Sequence, residues 1–260
     1  MRSIWFWQGI ISPHMAGLAV ALARRGCEVT YVAQQEVTED RVRQGWSAPS
    51  LPGVHLLKAV TGEAMRDLAM TAPEHSIHLC GGLRGNGDIG AAQRALAKRK
   101  LAQWVVMETV DDSGWRGLLR RVEYSRLIRE RRGDLKGVLA IGERTPAWIR
   151  ARGMPADAVF PFAYFLPDPG SALDVPSNRT GAFRFLFVGQ LIERKRLGML
   201  IDCLGAIRGY DFRLVVAGGG PLNDEFRALA DRAEQPAQQQ GPDYLCGSHV
   251  FLPQGPLCNL

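Results

Sequence analysis

Two short stretches of the sequence put glycines and cations where an apolar run gives way to a helix. In FRFLFVGQLIERKRLGMLI, residues 183–201, the run from Phe185 to Val188 stops at Gly189, and Arg194, Lys195 and Arg196 follow before the chain turns apolar again. In LVVAGGGPL, residues 214–222, a second run ends on Gly218, Gly219, Gly220 and Pro221. Glycine lets backbone approach a ligand, the first turn of a helix presents unpaired N–H groups, and lysine and arginine add fixed positive charge. Together these groups suit an anion, such as a phosphate, held at the carboxyl end of a strand. Taken singly, the basic triplet could be a solvated loop and the glycines a tight strand-to-helix turn. The pairing of the two stretches favours a site. Neither they nor WQGIISPHMAG, residues 7–17, contain GxGxxG, which argues against a nicotinamide-dependent dehydrogenase.

The elements that must carry these residues alternate. SIWFWQG (3–9) is expected as a strand, MAGLAVALARRG (15–26) as a helix stopped by Gly26, and CEVTYVA (27–33) as the next strand. Further strands are expected at 53–59, 76–81, 104–109 and 137–142, and helices at 90–102, 117–131 and 145–153. Continuously apolar runs such as WVVM suit strands buried on both faces of a parallel sheet. The segment 166–182, LPDPGSALDVPSNRTGA, lacks periodicity and is rich in proline and glycine, so it is expected as a linker. Alternation restarts with a strand at 184–189, a helix at 197–207, a strand at 212–218 and a helix at 223–233. After 234 only HVFL has the pattern of a strand. The expectation is an α/β protein with two parallel-sheet units.

Composition bounds the rest. The 260 residues are 46% hydrophobic and 22% charged, as in ordinary globular proteins. No apolar run approaches the length that crosses a bilayer, and the first residues look like a strand and not a signal peptide. Five scattered cysteines without a CxxC pair argue against a disulfide framework or structural zinc, and point to a reducing cytosol. The net charge of +6 fits a protein that meets anions. No nucleic-acid-binding motif accompanies it, so nucleic acid is not expected as a partner.

FLFVGQLIERKRLGMLIDCL followed by LVVAGGGPLNDEFRALA resembles the opening of the second domain in retaining, two-domain glycosyltransferases of the GT-B fold, the group 1 (GT4) family. That family's pattern is strand, Gly-Arg-Leu, three residues, Lys, helix, strand, Gly-x-Gly-Pro-Leu. More loosely, ARRGCEVTYVA resembles the entry to the second strand of such enzymes. GVLAIGERTPAWIRARGMPADAVFPFAYFLPDP resembles the close of the first domain in enzymes of surface-polysaccharide assembly. The resemblance implies a first, acceptor-side Rossmann-like domain over 1–165 and a linker over 166–182. It implies a nucleotide-sugar-binding domain over 183–260, which at 78 residues is short for such a domain and is expected to be incomplete. It implies transfer of a sugar from a nucleotide-sugar donor to a saccharide or lipid-linked acceptor, with retention, no metal and no cofactor. The alternatives are an impaired remnant or membrane-associated binding protein of the same fold, or a sugar-nucleotide epimerase.

On this resemblance Lys195 and Arg194 are the catalytic, phosphate-binding cations, and Gly189, Gln190, Gly218, Gly219, Gly220 and Pro221 meet the donor. Departure of the sugar leaves charge growing on the distal phosphate, where fixed cations stabilise the transition state most. The family's Arg after the first glycine is Gln190 here, which shifts the load to Lys195. The family's paired glutamates, seven residues apart, are not found after residue 222. In the first domain, His14 in the expected loop ISPHMAG and Glu108 at the end of a strand are acceptor-side candidates. Glu108 could instead cap the next helix, and a capping role is expected for Asp111 and Asp112 in preference to a metal pair. The helix over 117–132 interleaves arginines with leucines. It fits an anionic membrane at the inner face, or a core-packed helix with a solvated cationic face, of which the second is preferred.

Overall fold

The computed structural model describes residues 2–43, 47–85, 87–166, 183–207, 212–234 and 249–251. These form two compact units, one around each of two parallel sheets. Residues 167–182 of the expected linker, together with Cys246 and Cys258, lie outside the described residues.

The first sheet has seven strands in the order β3-β2-β1-β4-β5-β6-β7. They are β1 (Ser3–Ile10), β2 (Glu28–Gln35), β3 (His55–Lys58), β4 (Ile77–Gly81), β5 (Ala102–Glu108), β6 (Leu135–Ile141) and β7 (Val159–Phe162). The helices between them are α1 (Pro13–Arg24), α2 (Glu39–Arg43), α3 (Gly62–Thr71), α4 (Ile89–Lys98), α5 (Gly114–Arg131) and α6 (Arg144–Arg150). Strand β1 shows why the chain reads as it does. Ile4 and Phe6 are buried on one face with Ala16 and Ala19 of α1, while Trp5 and Trp7 are buried on the other with Ala92 and Leu96 of α4. A parallel strand covered on both faces has no polar side to show. Helix α1 starts where the sequence allows: Ser12 Oγ accepts a hydrogen bond from Met15 N at 3.3 Å, and Pro13 takes a first-turn position that lacks an N–H partner anyway.

Three elements were not in the sequence expectation: α2, α3 and β7. Helix α3 buries only Met65 and Ala69, too few apolar positions to announce a helix, although Thr61 caps it by accepting from Ala64 N at 3.2 Å. Strand β7 contains Pro161, which a central strand rejects. Its place at the sheet's edge accommodates a residue without an N–H.

The second sheet has the order β10-β9-β8, with β8 (Phe183–Val188), β9 (Phe212–Ala217) and β10 (His249–Phe251) all parallel. Helices α7 (Leu197–Ala206) and α8 (Asn223–Glu234) accompany it. Its core is Leu191, Leu197, Ile201, Leu204, Phe212, Leu214, Val216 and Phe226, with Phe185 and Phe187 packed against them. Leu186 and Val188 alternate to the other face of β8, and there they are exposed.

Helix α5 departs from the expected cationic outer face. Its buried residues are Gly117, Tyr124 and Ile128. At roughly 100° per residue, the opposite side carries Trp115, Leu118, Leu119 and Val122, all exposed. Several of its arginines, by contrast, are tied down by carboxylates: Arg121 to Asp112 at 2.9 Å, Arg126 to Glu130 at 2.7 Å and Arg120 to Asp111 at 3.8 Å.

Candidate functional site

At the carboxyl ends of the first sheet's strands lies a cavity of about 330 Å³ lined by Gln8, Ser12, Met15, Gly81, Glu108 and Tyr164 among others. Chain order runs outward in both directions from the β1/β4 pair, the kind of switch point where open α/β sheets bind ligands. Strand ends deliver Gln8, Gly81 and Glu108, while Ser12 comes from the start of α1 and Tyr164 from the segment after β7. Gln8 closes the apolar run of β1, and Gly81 closes β4. A Cβ on Gly81 would stand 2.9 Å from Gln8 Oε1, so the glycine makes room for that carboxamide. Gln8 Nε2 is buried without a partner among the described residues, leaving one donor facing unused.

Glu108 ends β5 and does not cap α5. Its carboxylate accepts a hydrogen bond from the Tyr164 hydroxyl; burial, then that bond and the carboxylate's charge, push the phenol up to about 12. His14 lies in the first turn of α1, not in a loop, and stacks on Tyr164 with ring centroids 4.3 Å apart at 20°. Its Nδ1 is buried and unpartnered among the described residues. The two acceptor-side candidates are therefore joined through Tyr164, which the sequence reading had not singled out. Gln8 was legible as a polar residue ending an apolar strand. Tyr164 gave no local signal.

Asp111 and Asp112 do not cap α5 either. The residue before the helix is Ser113, and its side chain makes no cap bond. Asp111 Oδ1 accepts from Ser113 N and Oγ, which holds its carboxyl below the usual range. Asp112 Oδ2 accepts from Trp148 Nε1, Arg121 Nε and Arg152 Nη2, each at 2.9 Å, with the Trp148 bond the largest cause of its lowered pKa. Asp112 thereby ties the turn before α5 to α6. Gly117 allows that turn to cross the helix, because a Cβ there would meet Asp112 O at 1.9 Å. Among the described residues no cluster of three His, Cys, Asp or Glu could hold a metal.

On the second sheet the two glycine stretches meet. Gly189 N donates to Ala217 O at 3.0 Å, Leu191 N to Gly219 O at 2.9 Å and Leu222 N to Leu191 O at 3.2 Å. A Cβ on Gly218 would stand 1.8 Å from Gly189 O, and one on Gly220 would stand 2.5 Å from Leu191 O. Those two glycines serve the packing of one turn on the other. Gly219 is different: nothing lies within 4 Å of its would-be Cβ, so its backbone is open to a visitor. Pro221 leads from this turn into α8. Residues 193–195 form a 3-10 turn after Gly189 and Gln190, and Arg196 takes a left-handed φ of 56° ahead of α7. Arg194, Lys195 and Arg196 are exposed, and no carboxylate among the described residues pairs with them. Unpaired cations beside an open glycine backbone can take an anion's oxygens.

No protein-family model matches the sequence, and no curated protein matches it. Solved structures do. Lipopolysaccharide outer core galactosyltransferase WaaB, in its apo form, superposes with a TM-score of 0.55 at 16% identity, over 89% of this chain and 65% of that one. Anabaena Alr3699/HepE in complex with UDP gives 0.61 at 10% identity, over 96% and 69%. The same protein in complex with UDP-glucose gives 0.59 at 12%, over 96% and 69%. The chain thus spans about two thirds of the length of these proteins. At such identities the likeness is one of fold, and the fold is the α/β GT-B architecture of glycosyltransferases.

Proposed function

We propose that the protein transfers a sugar from a nucleotide-sugar donor to a saccharide or lipid-linked acceptor, with retention, in the assembly of surface polysaccharide. The observation that carries this reading is the pair of hydrogen-bonded turns at the carboxyl ends of β8 and β9, where Gly219 is open and Arg194 and Lys195 are exposed with no carboxylate partner among the described residues. The GT-B fold supports it, as do the UDP and UDP-glucose held by HepE. The reading assigns the acceptor to a domain over 1–165 and the donor to one over 183–260, with 166–182 connecting them. Gly189, Gln190, Gly218, Gly219, Gly220 and Pro221 form the donor's backbone cradle, within which Gly219 is the point of close approach.

As the bond from the anomeric carbon to the distal phosphate oxygen breaks, its electron pair goes to that oxygen. Lys195 and Arg194 stabilise the charge where it grows. The acceptor hydroxyl forms the new bond to the anomeric carbon and gives its proton to the departing phosphate, so no separate carboxylate base is required. Glu108, at the cavity on the first sheet, orients an acceptor hydroxyl by replacing its bond to Tyr164, and His14 holds Tyr164 by stacking.

The test is donor turnover across a panel of nucleotide sugars, followed as nucleoside diphosphate released and as glycosylated acceptor. Release coupled to transfer is expected for one donor. Lys195→Ala should weaken donor affinity by about tenfold or more, the loss of one charge-assisted contact. An unchanged affinity would remove Lys195 from the site. Epimerised sugar without transfer would mark an epimerase, and binding without turnover would mark a binding protein.

A further inference from the structure

Helix α5 has two apolar faces, and the core uses one. Trp115, Leu118, Leu119 and Val122 are 71%, 61%, 60% and 64% exposed. Their spacing puts them in a single row roughly 10 Å long, opposite Gly117, Tyr124 and Ile128. A lone exposed leucine is ordinary, but four large apolar side chains in one row mark a surface that meets something. The row continues into Arg126 and Arg129, the next positions on the same face. Arg116 stands on its flank, over the Trp115 ring at 5.2 Å. While Arg120 and Arg121 lean back on Asp111 and Asp112, and Arg131 reaches inward to Leu83 O and Gln93 Oε1, Arg116 and Arg129 have no carboxylate partner among the described residues.

We propose that this face of α5 docks on an anionic lipid surface. The helix lies flat, Trp115, Leu118, Leu119 and Val122 enter the boundary between headgroups and acyl chains, and Arg116 and Arg129 meet lipid phosphates. Charge selects this occupant: a second copy of the same face would set arginine against arginine, whereas an anionic surface complements them. The chain's net charge of +6 has the matching sign. Trp115 ends the row, and an indole suits a boundary that is apolar on one side and wet on the other. No helix among the described residues is long and apolar enough to cross a membrane, so the contact proposed is with its surface. The inference goes beyond the sugar-transfer reading and does not rest on it.

Cosedimentation of the full chain with vesicles tests it, using phosphatidylcholine alone and phosphatidylcholine mixed with phosphatidylglycerol. Binding is expected to the mixed vesicles only and to weaken as salt is raised. The pair Trp115→Ser and Leu119→Ser should lower partitioning by at least about tenfold. The pair Arg116→Gln and Arg129→Gln, at roughly fivefold per arginine, should lower it by about 25-fold. The arginine pair is fully at the surface and keeps the test valid if the serine pair unfolds, which the melting temperature reports. Equal binding to both vesicle types, or arginine variants that bind like the original, would overturn the proposal. So would a lipid-free dimer in analytical ultracentrifugation that the same variants dissociate, because the face would then belong to a second copy.

Discussion

Single residues already separate what folds this chain from what it offers to a ligand. Gly218 and Gly219 are neighbours, yet only the first is wedged against backbone. Gly218→Ala should therefore cost roughly 2–3 kcal/mol of stability in the second sheet, measured by urea unfolding. Gly219→Ala should change stability by less than about 0.5 kcal/mol while lowering nucleotide-sugar affinity, and a titration with the donor decides it. Gln103 is wholly buried on β5 with neither amide atom partnered among the described residues. Replacing it with Leu should stabilise the protein by about 1–2 kcal/mol, since a buried amide without partners is costly. His78 is the opposite case. Trp7 Nε1 donates to its Nδ1 at 3.0 Å, and its Nε2 lies 2.9 Å from Ser76 Oγ, whose proton goes to Pro73 O. The ring is thus held neutral. Burial, then the charge of Arg99, lowers its pKa from 6.5 to about 3. The folded state then takes up no proton between those values while the unfolded chain does. His78 contributes its full stability above pH 6.5 and progressively less as pH falls toward 3, by up to about 1.4 kcal/mol per pH unit. His78→Gln should be less stable at neutral pH yet lose less stability on acidification, as chemical denaturation at a series of pH values would show.

At the scale of elements, junctions decide more than interiors. Helix α4 ends with Lys100 at a left-handed φ of 55°, where Lys100 N bonds to Ala97 O and Leu101 N to Leu96 O. That ending is built for glycine, so Lys100→Gly should raise stability by about 0.5–1 kcal/mol in thermal melts. Helix α5 depends on Gly117 to let the preceding turn across, and that turn carries Asp112, which holds Trp148 and Arg152 of the following segment. The pattern of leucines and arginines announced a helix there, but an amphipathic pattern alone does not say which stripe the sheet covers. The structure covers the side of Gly117, Tyr124 and Ile128 and leaves the leucine row outside.

At the scale of the molecule, each sheet has a core of its own. Trp7, Val32, Cys80 and Leu96 belong to the first, and Leu191, Leu197, Leu214 and Val216 to the second. A cavity placed in one core should be felt first by that core's amides. Leu96→Ala should cost about 2–5 kcal/mol, read as lost hydrogen-exchange protection in β1, β4 and α4, and Leu214→Ala should do the same for β8 and β9.

Much of this was legible in the sequence, for a local reason. Continuous apolar runs of strand length, helices with one apolar stripe, and glycines at their junctions recur through 3–142 and 184–233, and each is a property of a few adjacent residues. The α/β class and the meeting of GQL with GGGPL at two strand ends follow from that alternation. Other features depend on residues far apart in the chain. The Gln8 carboxamide faces Gly81, and Tyr164 joins His14 to Glu108 only because the sheet order sets β1 beside β4 and β4 beside β5. Asp112, which alone reads as a helix cap, becomes the partner of Trp148 and Arg152 because α6 packs beside it. Periodicity and turn residues in the sequence announce most of the elements and where their chemistry-bearing ends lie, though not α2, α3 or β7. Only the tertiary structure decided which ends share a cavity, which glycines are wedged and which face of α5 stays exposed, because contacts between distant segments have no local signature.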